Sequence, residues 1–265
     1  MHDATVPAAR RNFVKRFLTR ALRMSGYQLV NLRKLYDSDG LNTVHHARFR
    51  DDPHFQAAWE GAFQATGQVD PGSYWRIHIG LWAASVAARV SGDFVECGVN
   101  SGFLSSAIVR YLDWNNLHKR FHLVDTFTGP VLSQYSSEEI ECGRWRLVER
   151  ALAAGAYVTD IESVRRRYEG WNGICLVQGR VPEVLPAVDA GRVAFLHLDM
   201  NVAYPECEAL KFFWERISTG GIVLMDDYAY FGYEAQGNAL DQVARAIGAS
   251  ILALPTGQGM IVKRI

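Results

Sequence analysis

From Ser73 onward the chain alternates short apolar runs with amphipathic stretches, and almost every apolar run stops at an acid or an amide. Strand-like runs at 93–97, 121–125, 174–178, 193–199 and 221–226 are separated by helix-like segments at 74–90, 103–112, 205–217 and 235–247, with helical pieces in the longer connection that ends near residue 170. Strands that alternate with helices are joined by crossovers, which gives a mostly parallel sheet covered by helices on both faces. Ligands of such sheets bind beyond the carboxyl ends of the strands. Glu96, Asp125, Gln178, Asp199, Asp226 and Asp227 all stand at such ends. Two final strands, 250–254 and 260–263, flank Pro-Thr-Gly-Gln-Gly, which is hairpin-turn chemistry. The expected fold is therefore α/β, with seven strands, mostly parallel, closed by an antiparallel hairpin whose turn lies at the ligand end.

Composition narrows the class further. With 49% hydrophobic and 21% charged residues among 265, the chain is an ordinary globular one, neither disordered nor collagen-like. Cys97, Cys142, Cys175 and Cys207 form no CxxC pair, so a zinc knuckle or disulfide framework is not indicated and a reducing, cytoplasmic setting fits. The most apolar helical stretch, 77–90, is too short to span a bilayer and contains His78 and Arg89, and the start is charged too early for a secretory leader.

The 28 basic and 28 acidic residues are unevenly placed: residues 1–34 hold eight basic residues against Asp3 alone, a net +7, leaving −7 on the rest. That balance argues against nucleic acid as a partner of the main body. In the arm, Phe13, Val14, Phe17, Leu18, Ala21 and Leu22 recur at helical spacing between the basic residues. The apolar face of this helix either docks on the same chain or a second copy, giving a homo-oligomer through the N-terminal helices, or makes peripheral contact with an anionic membrane. Docking is the favoured reading. Residues 37–72 read as short helices joined by turns, so the expected division is a basic, helical N-terminal region at 1–72 and a main domain at 73–265.

The first strand of the main domain runs into Glu96-Cys-Gly98-Val-Asn-Ser-Gly102, an E-x-G-x-x-x-G turn before a helix. Bulky residues between the glycines disfavour a pyrophosphate, which needs G-x-G-x-x-G, and leave open a nucleoside with an amino-acid tail or a purely structural turn. Asp125, at the end of the second strand, either accepts both hydroxyls of a ribose or caps the turn that follows it.

Through VECGVNSG (95–102), HLVDTF (122–127) and the strand–helix order, the chain resembles the class I S-adenosylmethionine-dependent methyltransferases. Through SGDFVECGVNSG (91–102), VTDIESVRRRYEG (158–170), FLHLDMN (195–201) and GGIVLMDDYAYFGYEAQ (220–236) it is similar to the macrocin O-methyltransferase group, which methylates sugar hydroxyls of antibiotics and other glycans. The resemblance covers roughly 73–265 and implies a Rossmann-like fold with S-adenosyl-L-methionine as cofactor. It implies that Glu96 and Gly98 hold the amino-acid end of that cofactor, that Gly102 permits close packing, that Asp125 holds the ribose and that Gln178 and Gly179 border the adenine. Arg76 either meets the cofactor carboxylate or lies on the surface of its helix.

Asp199, Asp226 and Asp227 come from two strand ends, and three carboxylates delivered to one point repel strongly unless a cation joins them. Oxygen-only ligands suit Mg²⁺ or Mn²⁺. Such an ion orients a diol and lowers the pKa of the reacting hydroxyl, so Asp199 and Asp227 are the expected catalytic residues. The other reading is that Asp226 caps a turn while Asp227 faces solvent. Related chains read D-x-D-x-Y after the fourth strand, whereas here Asn201 replaces the second acid. His197 shares a strand face with Asp199 and is either a base or a core histidine. Tyr228, Tyr230, Tyr233 and Glu234 are candidates to line the acceptor pocket, and the long connection at 128–149 is either a substrate loop or a helical insertion.

The function expected is transfer of a methyl group from S-adenosylmethionine to a hydroxyl of a sugar, glycoside or related natural product. Two alternatives stand beside it: a metal-dependent hydrolase or nucleotide-sugar enzyme using the same strand-end carboxylates, and a non-catalytic scaffold that keeps the fold.

Overall fold

The computed structural model describes residues 8–27 and 35–264. The chain divides into two units, 1–46 and 47–265. In the first, helix α1 (Ala8–Met24) forms as the apolar spacing predicts, with Phe17 and Leu18 exposed; the side chains of Phe13 and Val14 lie outside the described residues. Strands β1 (Tyr36–Ser38) and β2 (Leu41–Thr43) pair antiparallel around Asp39-Gly40, both with positive φ. This corrects the reading of 37–72 as helices and turns alone: Asp-Gly with two left-handed residues is the tight hairpin turn that matches strand twist.

The larger unit begins ahead of the boundary expected at residue 72. Helix α2 (Pro53–Ala65) starts with proline in its first turn and Asp52 as N-cap, whose side chain accepts from the His54 amide at 3.0 Å. Its buried face, including Phe55, Ala58 and Ala62, contributes to the core of the main domain. Helix α3 (Tyr74–Ala87) buries Ile77, Leu81, Ala84 and, unusually, Arg76.

Seven strands follow: β3 (Asp93–Cys97), β4 (Phe121–Asp125), β5 (Ile174–Gln178), β6 (Val193–Leu198), β7 (Ile217–Met225), β8 (Leu252–Ala253) and β9 (Gly259–Val262). Their spatial order is β5-β4-β3-β6-β7-β9-β8, parallel through β7, with β9 antiparallel to both β7 and β8. The seven-stranded mixed sheet and the terminal hairpin are as expected. Strand β7 starts earlier than the glycines at 220–221 suggest: Ile217 pairs with Val193, and the register shifts between that pair and Phe195–Ile222. Four residues of Ser-Thr-Gly-Gly look like a turn in sequence, yet here they form an irregular strand start.

Both faces of the sheet are covered, which is why its central strands are buried and mostly apolar, with Glu96, His122 and His197 the buried polar exceptions. Phe94, Phe121 and Phe195 face helices α3 and α4 (Phe103–Tyr111) with Trp114, the Phe94 and Trp114 rings meeting edge to face at 5.1 Å. Val95, Leu196, Val223 and Met225 face helices α8 (Ala203–Trp214) and α9 (Glu234–Ala246) through Leu210, Phe213 and Leu240. Between β4 and β5 lie three further helices, α5 (Ser137–Glu141), α6 (Arg144–Ala153) and α7 (Ile161–Arg167). Among the described residues no helix is long and apolar enough to cross a membrane.

Candidate active site

Each strand end at the centre of the sheet is pinned to its neighbour by one backbone bond beyond the strand. Gly98 donates to the Val124 carbonyl, Asp199 to Cys97, Gly179 to Asp125 and Asp226 to Leu198, all at 2.9 Å. The side chains that follow are therefore set by the sheet rather than by free loops. Beyond them opens a cleft of about 750 Å³ lined by Gly98, Asn100, Asp125, Tyr157, Gly179 and Asp199, among others.

Three residues of the first turn have positive φ: Gly98 (91°), Asn100 (47°) and Gly102 (72°), the last being the N-cap of α4. At Gly98 there is no room for a side chain, because a β-carbon would lie 2.0 Å from the Asp199 carbonyl oxygen. The Asp125 carboxylate holds this turn from the next strand: Oδ2 accepts from the Val99 and Asn100 amides at 2.7 and 2.9 Å, while Oδ1 accepts from the Phe127 amide at 2.7 Å. It thus caps its own turn, as one of the two readings required, and still lines the cleft. Asn100 ties the turn to the opposite wall, donating to the Ala156 carbonyl and accepting from the Val158 amide.

Other expected cofactor residues stand elsewhere. Glu96 does not line the cleft; it is 2% exposed and accepts from Ser105 Oγ and, at 3.0 Å, pairs with His197 Nδ1. Ser105 in turn meets Tyr168 Oη at 2.8 Å, and Tyr168 donates to the Gly102 carbonyl. The reason is strand parity. Glu96 shares the face of Phe94, which points at α4, and in the parallel register it lies opposite His197. Glu96 accordingly reaches the turn from beneath through Ser105 and Tyr168, which meets it at Gly102. His197 is a core histidine, 2% exposed. Gln178 is exposed, donates to the Thr126 carbonyl and borders the cleft only through its neighbour Gly179.

Asp199, Asp226 and Asp227 do converge, with one carboxylate oxygen from each lying within 4.8 Å of the others. Asp227 is buried, which excludes the solvent-facing alternative. Arg76 is likewise no surface residue: its Nη1 donates to Asp226 Oδ2 and, at 3.1 Å, to Asp227 Oδ1, away from the cleft wall. Asp226 Oδ1 accepts from Gln258 Nε2 at 2.9 Å, so the terminal hairpin turn reaches the site as its topology demanded. Burial, followed by the charges of Asp226 and Asp227, drives the Asp199 carboxyl well above the usual carboxylate range, and Arg76 pulls the other way. Burial, with Asp226 second, pushes Asp227 up to about 6. Asp199 and Asp227 each keep one oxygen that accepts no hydrogen bond from a described residue. A hard divalent cation with oxygen ligands fits this donor set.

Around the acids stand Asn201 and Tyr233, both noted in the sequence, and Arg144, Glu206 and Glu139, which were not singled out. Asn201, at φ 61°, donates to Asp199 Oδ1 at 3.1 Å and accepts from Tyr233 Oη at 2.7 Å. The Tyr233 ring lies 3.4 Å beneath the Arg144 guanidinium of α6. Glu206, fully buried on α8, accepts from the Met200 and Asn201 amides and from Gln236 Nε2, fixing the loop behind Asp199. Burial above all pushes Glu206 up to about 8. Glu139 of the long connection accepts from the Ala203 amide at the start of α8 and from both Ser136 groups. With Tyr135, Val148 and Val202 in one apolar cluster, that connection is docked against the 200–203 loop. Of the tyrosines after the paired acids, Tyr228 turns away to Asp241 at 2.7 Å, Tyr230 lies under Arg76, and Glu234 bonds the Gly232 amide at the surface.

A family model described as "methyltransferase domain" matches residues 95–228, the stretch from the glycine turn to just past the paired aspartates. A 4'-O-methyltransferase of Streptomyces olivaceus, named for 8-demethyl-8-(2,3-dimethoxy-alpha-L-rhamnosyl)-tetracenomycin-C, is 28% identical over 151 residues, which cover 54% of this chain and 56% of that relative. The chain thus matches little more than half of the relative's length. Among solved structures, the O-methyltransferase NovP superposes with a TM-score of 0.64 at 16% identity over 83% of this chain and 100% of its own. CalS11, a calicheamicin methyltransferase, does so at 0.55 and 14% over 89% and 97%. At such identities the two superpositions establish the fold.

Proposed function

Because the chain belongs to the methyltransferase-domain family, we propose that it is an S-adenosylmethionine-dependent O-methyltransferase, assisted by a divalent cation and acting on a hydroxyl of a sugar or glycoside. One observation carries the reading: Asp199 is at once a wall of the cleft and a member of the acidic cluster. A cofactor in the cleft and a hydroxyl held at the acids would meet at that residue. When bound, S-adenosylmethionine supplies an electrophilic methyl group, and Mg²⁺ or Mn²⁺ supplies charge that favours the alkoxide form of the acceptor.

The chain's own residues orient both. The bare backbone at Gly98 lets the amino-acid end of the cofactor approach the turn, and Glu96 and Gly102 keep that turn in shape. Asp125 engages the ribose while it holds the two adjoining turns. Gly179, with Gln178 behind it, borders the adenine. Asp199, Asp226 and Asp227 bind the cation and, through it, place the acceptor hydroxyl, which is mostly a matter of alignment. Arg76, paired with two of these acids, is assigned to the acidic cluster rather than to the cofactor carboxylate. The sugar or glycoside acceptor is supported by the name of the Streptomyces olivaceus relative. The family match removes the ground for a hydrolase.

Calorimetric titration of S-adenosylhomocysteine, with Mg²⁺ and with EDTA, tests the cofactor class. Binding in the micromolar range, about −8 kcal/mol, that weakens in Asp125→Asn is expected. Absence of binding in both conditions overturns the reading. Methyl transfer to a panel of rhamnosides then tests the acceptor class, with loss of turnover in EDTA expected.

A further inference from the structure

The acidic cluster already contains a cation. Arg76 reaches it from α3, and its Nη1 donates to both Asp226 and Asp227, the second at 3.1 Å. Its side chain is only 10% exposed, and its guanidinium carbon lies 4.7 Å from the centroid of the Tyr230 ring. With Gln258 on Asp226 Oδ1, both oxygens of Asp226 are engaged, whereas Asp199 and Asp227 each retain an oxygen that accepts from no described residue. An arginine cannot relieve a crowded site by losing its proton. It can only move, or tolerate a second cation at close range.

We propose that Arg76 is a displaceable counter-cation of the acidic cluster, holding Asp226 and Asp227 together in the metal-free protein and leaving Asp226 when a divalent ion takes all three carboxylates. The inference rests on the metal reading above. It follows from charge and geometry: a divalent ion placed among three oxygens that lie within 4.8 Å of one another would sit close to the guanidinium that bridges two of them. Like charges so close repel strongly in a partly buried site. Arg76 therefore stabilises the empty cluster and weakens its hold on metal, which makes occupancy responsive to the metal concentration. Tyr230 shares the task by stacking on the guanidinium, a contact of cation–π type.

The two roles open to a buried arginine beside ligand acids differ in sign. If Arg76 only positioned the acids, its removal would lower both stability and metal affinity. A displaceable counter-cation gives opposite changes. The test uses the whole 265-residue chain without cofactor, with Mn²⁺ as the probe, followed by electron paramagnetic resonance, and thermal unfolding in EDTA. Arg76→Met is expected to bind Mn²⁺ roughly tenfold more tightly than the natural protein, by relief of the repulsion, and to unfold at a lower temperature in EDTA, a loss that Mn²⁺ reverses. Tyr230→Leu is expected to shift both quantities the same way by a smaller amount, and it decides the matter if Arg76→Met does not fold. Equal or weaker Mn²⁺ binding in the folded variants, alongside measurable binding by the natural protein, overturns the proposal and leaves the metal reading intact. Absence of Mn²⁺ binding by the natural protein and both variants overturns the metal reading and this proposal together.

Discussion

Gly98 and Asp199 meet backbone to backbone: a β-carbon on the glycine would lie 2.0 Å from the aspartate's carbonyl oxygen. The first strand's turn and the fourth strand's acid are thereby held in one position relative to each other, and with them the cleft and the acidic cluster. Gly98→Ala is expected to lose about 3 kcal/mol or more, through the unfavourable φ and a clash with backbone that cannot yield. Gly143 has nearly the same φ, 88° against 91°, but a β-carbon there would meet nothing within 4 Å. Gly143→Ala should therefore cost only about 1 kcal/mol. Denaturant unfolding of the two variants separates close approach from backbone strain.

Asn201 gives a second expectation. Aspartate tolerates its left-handed backbone, and Tyr233 can still donate to it, but a carboxylate there would face Asp199 Oδ1 in place of an amide donor now 3.1 Å away. Asn201→Asp should fold, lose about 1 to 2 kcal/mol in EDTA by like-charge repulsion, and recover more stability on adding Mg²⁺ than the natural protein does. Thermal unfolding in EDTA and in Mg²⁺ provides the comparison; equal recovery in both proteins would count against it.

The third expectation concerns pH. Glu206, pushed up to about 8, binds a proton more tightly in the folded chain than in the unfolded one. Stability from this group is thus greatest at low pH and falls as pH rises from the ordinary carboxylate range to about 8. Glu206→Gln keeps an acceptor for the two loop amides and, once the Gln236 amide turns over, donates to the buried Gln236 Oε1, which has no partner among the described residues. The variant should match the natural protein near pH 5 and exceed it by up to a few kcal/mol near pH 8. Asp199 and Asp227 contribute slopes of the same sign in both proteins, so the difference between the two unfolding curves is the quantity to read.

Glu139 carries the fourth. Replacing it with alanine strands the Ala203 amide at the start of α8 and the two Ser136 groups. A loss of about 2 to 3 kcal/mol is expected. Because the segment it anchors packs by the 200–203 loop, KM for the acceptor should rise in Glu139→Ala, with Glu139→Gln intermediate, while affinity for S-adenosylhomocysteine changes less. Steady-state kinetics against calorimetry makes the distinction.

The succession of strands and helices and the strand-end acids were legible in sequence because both depend on local period and on one topological rule. What escaped was direction. Parity along 93–97 already places Glu96 on the Phe94 face, toward α4, so the signal that it turns inward to Ser105 and His197 was present in the alternation. The Asp39-Gly40 hairpin was equally open to reading. Gln258 and Glu206 are different. Their pairings with Asp226 and Gln236 join segments about 30 residues apart at one end of the sheet, and no local pattern marks a glutamine in a turn as the partner of an aspartate 32 residues earlier.

The pairing of Gln258 with Asp226 also sets an order of assembly. As the polypeptide leaves the ribosome, Arg76 is already outside when the two aspartates appear 150 and 151 residues later, but the donor for Asp226 Oδ1 arrives only after α9 has been made. Until translation passes residue 258 the donor for Asp226 Oδ1 does not exist, and only the finished hairpin completes the set.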